Sequence, residues 1–338
     1  MPEELLMVPA LQSFTIRAPE IEDAEKVADF FNVISIEVVG KKHYETGMIE
    51  RTWQAPKFDK DQSVRLVFAP DGELAAYVEV GGHQQPHVQI GVGVMLPAAF
   101  QGKGIGTALL QWGEGRAREI LLKAPKDAQV VMTAACNEKD LYRTSLYQRY
   151  GMKLYRHFFK MVIDIDTPPQ PAKLPAGIVI RPYDEETELY RLSQCYLDSF
   201  QDHFGFSGQT LEDIATYIRH LIDKDPNYDP GLWFVAVDGE EMVGLSICAG
   251  KTTEDPLMGY VNVLGVVREY RKRGLGMALL THSFAELHQR GSQRVGLSVD
   301  ASSLTGATRL YEKAGMDVRE RFDLYQKILR DGEVLFRE

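Results

Sequence analysis

One phrase occurs twice in this chain. "FQGKGIGTALLQW" begins at Phe100, and "YRKRGLGMALLTH" begins at Tyr270, about 170 residues later. At 338 residues the chain is too long for one ordinary domain and suits two. The same order of signals surrounds each copy. "FTIRAPEIEDAEKVADFF" and "IVIRPYDEETELYRLSQCY" each read as a strand, a turn and a helix, with Arg17 and Arg181 in matching places. Asp71-Gly72 and Asp238-Gly239 then sit between apolar runs, a strong tight-turn signal. A strand ("VQIGVGVML"; "YVNVLGVV") runs into the Gly-rich stretch. Beyond it Ile105, Ala108, Leu109 and Trp112, like Met277, Leu280, Phe284 and Leu287, recur at helical spacing. A further strand, a short helix ending in Gly-Met and a closing strand complete each half. The order predicts a tandem duplication of an α+β domain, each copy a mixed, mostly antiparallel sheet flanked by helices. Residues 1–165 form one domain, the Pro-rich segment 166–176 a linker, and 177–338 the other.

The Gly-rich turns, Gln101-Gly102-Lys103-Gly104-Ile105-Gly106 and Arg271-Lys272-Arg273-Gly274-Leu275-Gly276-Met277, each join a strand to a helix. Glycines let the backbone turn sharply and approach a ligand with no Cβ between them. The first free N–H groups of the helix then converge, backed by the positive end of its dipole. Such a site suits a pyrophosphate, with Lys103, Lys272 and Arg273 adding charge at the rim. The structural alternative is a helix start whose glycines only permit close packing. The P-loop pattern is missing, and the dinucleotide fold needs its glycines after the first strand of a parallel unit.

A net charge of −10 with no long basic run argues against a nucleic-acid partner. Cys136, Cys195 and Cys248 are too widely spaced to staple a secreted fold or hold a metal, which fits a reducing cytoplasm. No apolar run approaches the roughly 20 residues of a membrane span, and the N-terminus does not read as a signal peptide.

Taken together, the Gln/Arg-x-x-Gly-x-Gly turn before a long helix, then a strand, then "LYQRYGM" or "LYEKAGM", resembles the GNAT superfamily of N-acetyltransferases over essentially the whole chain. The resemblance implies that each turn cradles the pyrophosphate of acetyl-CoA, used as co-substrate without a metal. It also implies that the end of the preceding strand (Met95-Leu96; Val266-Val267) pairs with the pantetheine arm where that strand splays from its neighbour. Acetyl would pass by direct attack to a primary amine of a small molecule or peptide. By position Tyr147 and Tyr311 would protonate the departing thiolate.

Neither fourth strand carries the carboxylate that many relatives use as base. His83 and His87 in the first half and His203 in the second remain as candidates, beside a water relay. Asp202, Glu212 and Asp213, near the substrate walls, would suit a cationic amine. Ser302, Ser303 and Thr305 replace an Asn common in relatives, whereas the first half keeps Asn137 but has Arg143 where relatives carry a small residue. The second half, with Ala307 in place, has the cleaner pattern and is expected to catalyse. The tandem order, "VLGV" and "SVDA" are similar in architecture to mycothiol synthases, which acetylate the amine of a cysteinyl-sugar conjugate. Tyr260 stands where those enzymes place an acid. A non-catalytic acyl-CoA sensor is the alternative, and the sequence sets no oligomeric state.

Overall fold

The structure is a computed structural model and describes residues 9–82, 85–167, 170, 173–225, 227–303 and 306–337. His83 and Thr305 lie outside the described residues. In chain order the first half gives β1 (Thr15–Arg17), α1 (Ala24–Val39), α2 (Thr46–Trp53), β2 (Val64–Phe68), β3 (Leu74–Val80), β4 (Gln89–Met95), α3 (Ile105–Leu121), β5 (Val130–Asn137) and α4 (Leu141–Arg149). There follow β6 (Lys153–Asp164), β7 (Ile178–Pro182), α5 (Leu189–Phe200), α6 (Leu211–Lys224), β8 (Trp233–Asp238), β9 (Glu241–Ala249), β10 (Met258–Val266), α7 (Leu275–Gln289), β11 (Arg294–Asp300), α8 (Ala307–Lys313) and β12 (Asp317–Arg330). Among the described residues no helix is long and apolar enough to cross a membrane.

The chain divides into two compact units. Unit 1 holds residues 1–156 with 322–336, and unit 2 holds 157–321 with 337–338. The segment 166–176 thus falls within unit 2. In unit 1 the strands β1 to β4 pair antiparallel in sequence order, β5 lies parallel to β4, and Phe322–Arg330 of β12 pairs antiparallel with β5. In unit 2, β7 to β10 repeat the antiparallel run, β11 lies parallel to β10, and Phe158–Asp164 of β6 pairs antiparallel with β11. Each sheet is therefore closed by a strand from the other half of the sequence. A closing strand within its own half was the expectation. The two segments have the same alternating character, so nothing local selects one parallel edge over the other.

Strand alternation sets the layers of unit 1. Ile90, Val92 and Val94 of β4 face α3 in a core with Leu109, Leu110 and Trp112, while Met95 joins the opposite face with Phe31 of α1, Ile49 of α2 and Tyr77 of β3. In unit 2, Leu280, Phe284 and Leu287 of α7 are buried as their spacing predicts, but Met277 is only half-buried and Leu275 and Leu279 take its place. The matching arginines do matching work: Arg17 binds Asp23 ahead of α1 (2.6 Å), and Arg181 binds the buried Glu188 ahead of α5 (2.6 Å).

Candidate functional site

In both units a gap opens between the two parallel strands. β4 stays paired with β3 as far as Met95, yet pairs with β5 only over Gln89, Ile90 and Gly91. β10 pairs with β11 only from Met258 to Val261, and its register against β9 shifts between Val261 and Val263. A bulge of this kind turns a strand away from its neighbour. Past these points one edge of β4 and of β10 has no strand beside it, leaving backbone groups for a ligand.

The Gly-rich turn follows, with the same backbone in each unit. Gly102 and Gly104 have φ of 74° and 83°, and Lys272 and Gly274 have φ of 60° and 88°. A left-handed residue directly before each helix explains Gly104 and Gly274, while Lys272 accepts the conformation where unit 1 uses glycine. No side chain caps α3 or α7, and a Cβ built on Gly102, Gly104 or Gly274 meets nothing within 4 Å. Open space therefore adjoins the first N–H groups of both helices.

Gly106 and Gly276 differ from this and from each other. A Cβ on Gly106 would fall 2.5 Å from the Tyr142 hydroxyl oxygen and 2.9 Å from Leu146 Cδ2, so this glycine lets α4 approach α3. On Gly276 the nearest atom is Leu310 Cδ2 at 3.4 Å, an ordinary contact.

The first residue of each turn folds back on the strand. Gln101 Nε2 donates to the Leu96 carbonyl (3.2 Å), and Arg271 Nε donates to that of Val266 (3.0 Å). These bonds make Leu96 equivalent to Val266 and Met95 to Gly265. The sequence-based pair Val266-Val267 therefore sits one residue late relative to Met95-Leu96. Arg271 is committed elsewhere as well, to Asp202 (2.8 Å) and the Ser199 carbonyl (2.8 Å). Lys103 reaches back to the Ala99 carbonyl (2.9 Å) and Arg273 lies over the Tyr270 ring. Lys272 stays exposed at the rim.

Tyr147 and Tyr311 both lie in the cores beneath the short helices. Tyr147 is wholly buried, its ring 5.5 Å from that of Tyr325, and its hydroxyl has no hydrogen-bond partner. Burial pushes its pKa up to about 12 against the pull of the Arg143 charge. Tyr311 is 7% exposed, and burial alone pushes it up to about 12. Both phenols stay protonated at neutral pH. The principal contrast lies one helical turn earlier. Arg143 Nε donates to Asp140 (2.6 Å) and Nη1 faces Met95 Sδ (3.3 Å), whereas Ala307 holds the matching place in unit 2.

The candidate bases separate. His87 lies ahead of β4, roughly 26 Å along the strand from Met95, with Nδ1 against the Gly82 carbonyl (3.0 Å). His203 follows α5, packs edge-on to Phe200 (4.5 Å), and feels the charges of Asp202, Arg271 and Asp300. Asp300 ends β11 and Arg271 follows β10, so His203 lies within electrostatic reach of residues beside both parallel strands of unit 2. Burial, helped by Arg271, lowers its pKa and keeps it neutral.

Sequence reasoning missed Glu79. It lies on β3 opposite Gly93 of β4, accepts the Tyr77 hydroxyl (2.5 Å), and burial raises its pKa. Trp53 Nε1 donates in turn to Tyr77 (3.2 Å). The alternation in "LAAYVEV" carries the signal, one strand ahead of the place where many relatives keep their carboxylate.

Several polar candidates are occupied structurally. Asp202 binds Arg268 and Arg271, Glu212 accepts the Tyr190 hydroxyl (3.2 Å), and Asp213 forms a capping box with Thr210 at the start of α6. Asn137 Oδ1 accepts the Lys139 N–H (3.0 Å), and Ser302 N–H is taken by Asp300 (2.9 Å).

Comparison with known proteins agrees with this doubled geometry. The model of the acetyltransferase (GNAT) family matches residues 26–152 and again 189–316. A mycothiol acetyltransferase of Nocardia farcinica is 30% identical over 257 residues, 74% of this chain and 78% of the relative. Another, of Thermobispora bispora, is 27% identical over 275 residues, 79% of this chain and 84% of the relative. Among solved structures, a GCN5-related N-acetyltransferase from Sphaerobacter thermophilus superposes with a TM-score of 0.78 at 30% identity, covering 95% of this chain and 98% of its own.

Proposed function

The chain belongs to the GNAT acetyltransferase family and is an acyltransferase with two such domains, and from that premise we propose that its second unit transfers the acetyl group of acetyl-CoA to a primary amine. The observation that carries this reading is the contrast at one helix position. Ala307 places only a methyl group one turn before Tyr311, while Arg143 extends from the same position to Met95 in unit 1.

In unit 2 the N–H groups at the start of α7 hold the pyrophosphate, and Lys272 adds charge at the rim. The free edge of β10 beyond Val261 gives the pantetheine arm backbone partners, and Gly265 lets Ser199 and Phe200 of α5 pack close against that strand. His203, neutral at physiological pH, accepts the proton that the amine loses as its nitrogen bonds to the thioester carbon. The C–S bond then breaks, and the hydroxyl of Tyr311 donates to the departing thiolate. Arg271 positions these parts by tying the end of β10 to Ser199 and Asp202 at the end of α5.

The relatives named for mycothiol make the amine of a cysteinyl-sugar conjugate the first substrate to try. Tyr260, which stands where those enzymes place an acid, hydrogen-bonds Ser298 (2.6 Å), which favours a different amine contact at that point. The test is thiol release from acetyl-CoA with a panel of small-molecule and peptide amines. Amine-dependent release that falls roughly 10²- to 10⁴-fold in Tyr311→Phe is expected. Tight acetyl-CoA binding with no release for any amine would replace this reading with that of a sensor.

A further inference from the structure

Arg143 has more hydrogen-bonding capacity than its surroundings use. Its side chain is 16% exposed and anchored by Nε on Asp140, the residue that caps α4. Its Nη1 faces the Met95 thioether, a weak acceptor, and its charge lies close to the Tyr147 hydroxyl. A guanidinium carries five N–H donors, so most donors of this largely buried group meet no strong acceptor. Buried donors are costly to leave without an acceptor. The hydroxyl of Tyr147, one turn along the same helix, is buried beside this guanidinium and makes no well-formed hydrogen bond. Both groups belong to α4, which packs against β5, and the guanidinium reaches Met95 at the end of β4.

We infer that unit 1 recognises a carboxylate at this point, presented as the free end of a dicarboxylic acyl group on CoA, with Arg143 and Tyr147 as its donors. Arg143 and Asp140 form a pre-set arm, because Asp140 fixes the guanidinium by one nitrogen and leaves the Nη edge for a planar, two-point acceptor. Acetyl offers nothing to that edge. The two units then differ in the acyl group they accept, through one side chain, Arg143 against Ala307. This rests on the reading of the Gly-rich turn of unit 1 as a CoA site.

The chain carrying Gly274→Trp, whose side chain enters the open space at the turn of unit 2, allows a direct test by calorimetry. Succinyl-CoA, acetyl-CoA and free succinate are titrated in turn. Succinyl-CoA is expected to bind roughly 10- to 100-fold more tightly than acetyl-CoA, and Arg143→Ala should remove the difference. The fold already accepts alanine there in unit 2, and Arg143→Met, which keeps the bulk without the charge, should behave the same way. Equal affinity for the two thioesters would overturn the inference and leave the CoA site of unit 1 standing. Binding of free succinate as strong as that of succinyl-CoA would overturn both. Acetyl-CoA binding that appears only in Arg143→Ala would make Arg143 a plug.

Discussion

Removing the ring of Tyr325 should loosen unit 1, although the residue lies at the far end of the sequence. Tyr325 is 1% exposed, pairs with Ala134 of β5, and packs its ring against Tyr147. Large-to-alanine changes at such aromatic positions cost about 3–5 kcal/mol. At about 1.4 kcal/mol per factor of ten, amide protection in β5 should fall roughly 10²- to 10⁴-fold in Tyr325→Ala. Hydrogen exchange read by mass spectrometry on peptides spanning 130–137 and 294–300 resolves this strand from β11. Greater loss in β5 than in β11 is expected. Loss confined to β11, or a change in β5 below about threefold, would refute the assignment of the last strand to unit 1.

The two inner glycines should respond in opposite ways: Gly106→Ala loses about 1–3 kcal/mol against Tyr142 and Leu146, whereas Gly276→Ala stays within about 1 kcal/mol of the parent, both read by denaturant unfolding. The acid limb of kcat/KM should lie below the ordinary histidine pKa of 6.5, because burial and then Arg271 lower that of His203 while Asp202 and Asp300 oppose them. His203→Gln should abolish that limb and lower the plateau. The sign for stability is the same: the unfolded chain takes up this proton first, so what the neutral ring contributes is intact above pH 6.5 and declines as pH falls through the window below it. Tyr147→Phe removes an orphaned buried hydroxyl and should leave the ligand-free protein unchanged or more stable by up to about 3 kcal/mol in thermal unfolding.

The duplication and the turns were legible because their signals are local. A left-handed backbone before a helix demands Gly104 and Gly274, and the apolar spacing of α3 and α7 marks their core faces whatever lies beyond. The exchange of closing strands was not legible, since β6 and β12 both follow a Gly-Met turn and both alternate. Which edge each one joins depends on long-range pairing. Gly106 was read as part of the ligand cradle because sequence gives no view of Tyr142 beneath it. The acidic wall residues looked available to a cationic amine, yet Asp202 and Asp213 are spent on Arg271 and a helix cap. Arg143 stood out as the wrong size for its place, but only the geometry showed it beside Met95 with donors to spare.

The most direct test of the central claim follows acetyl transfer and acetyl-CoA binding together in the parent chain and in the equivalent variants Gly274→Trp and Gly104→Trp. Gly274→Trp should abolish amine-dependent turnover and one acetyl-CoA binding event, while Gly104→Trp should leave turnover near that of the parent. Turnover that survives Gly274→Trp, or that falls equally in both variants, would contradict the assignment of acetyl transfer to the second unit.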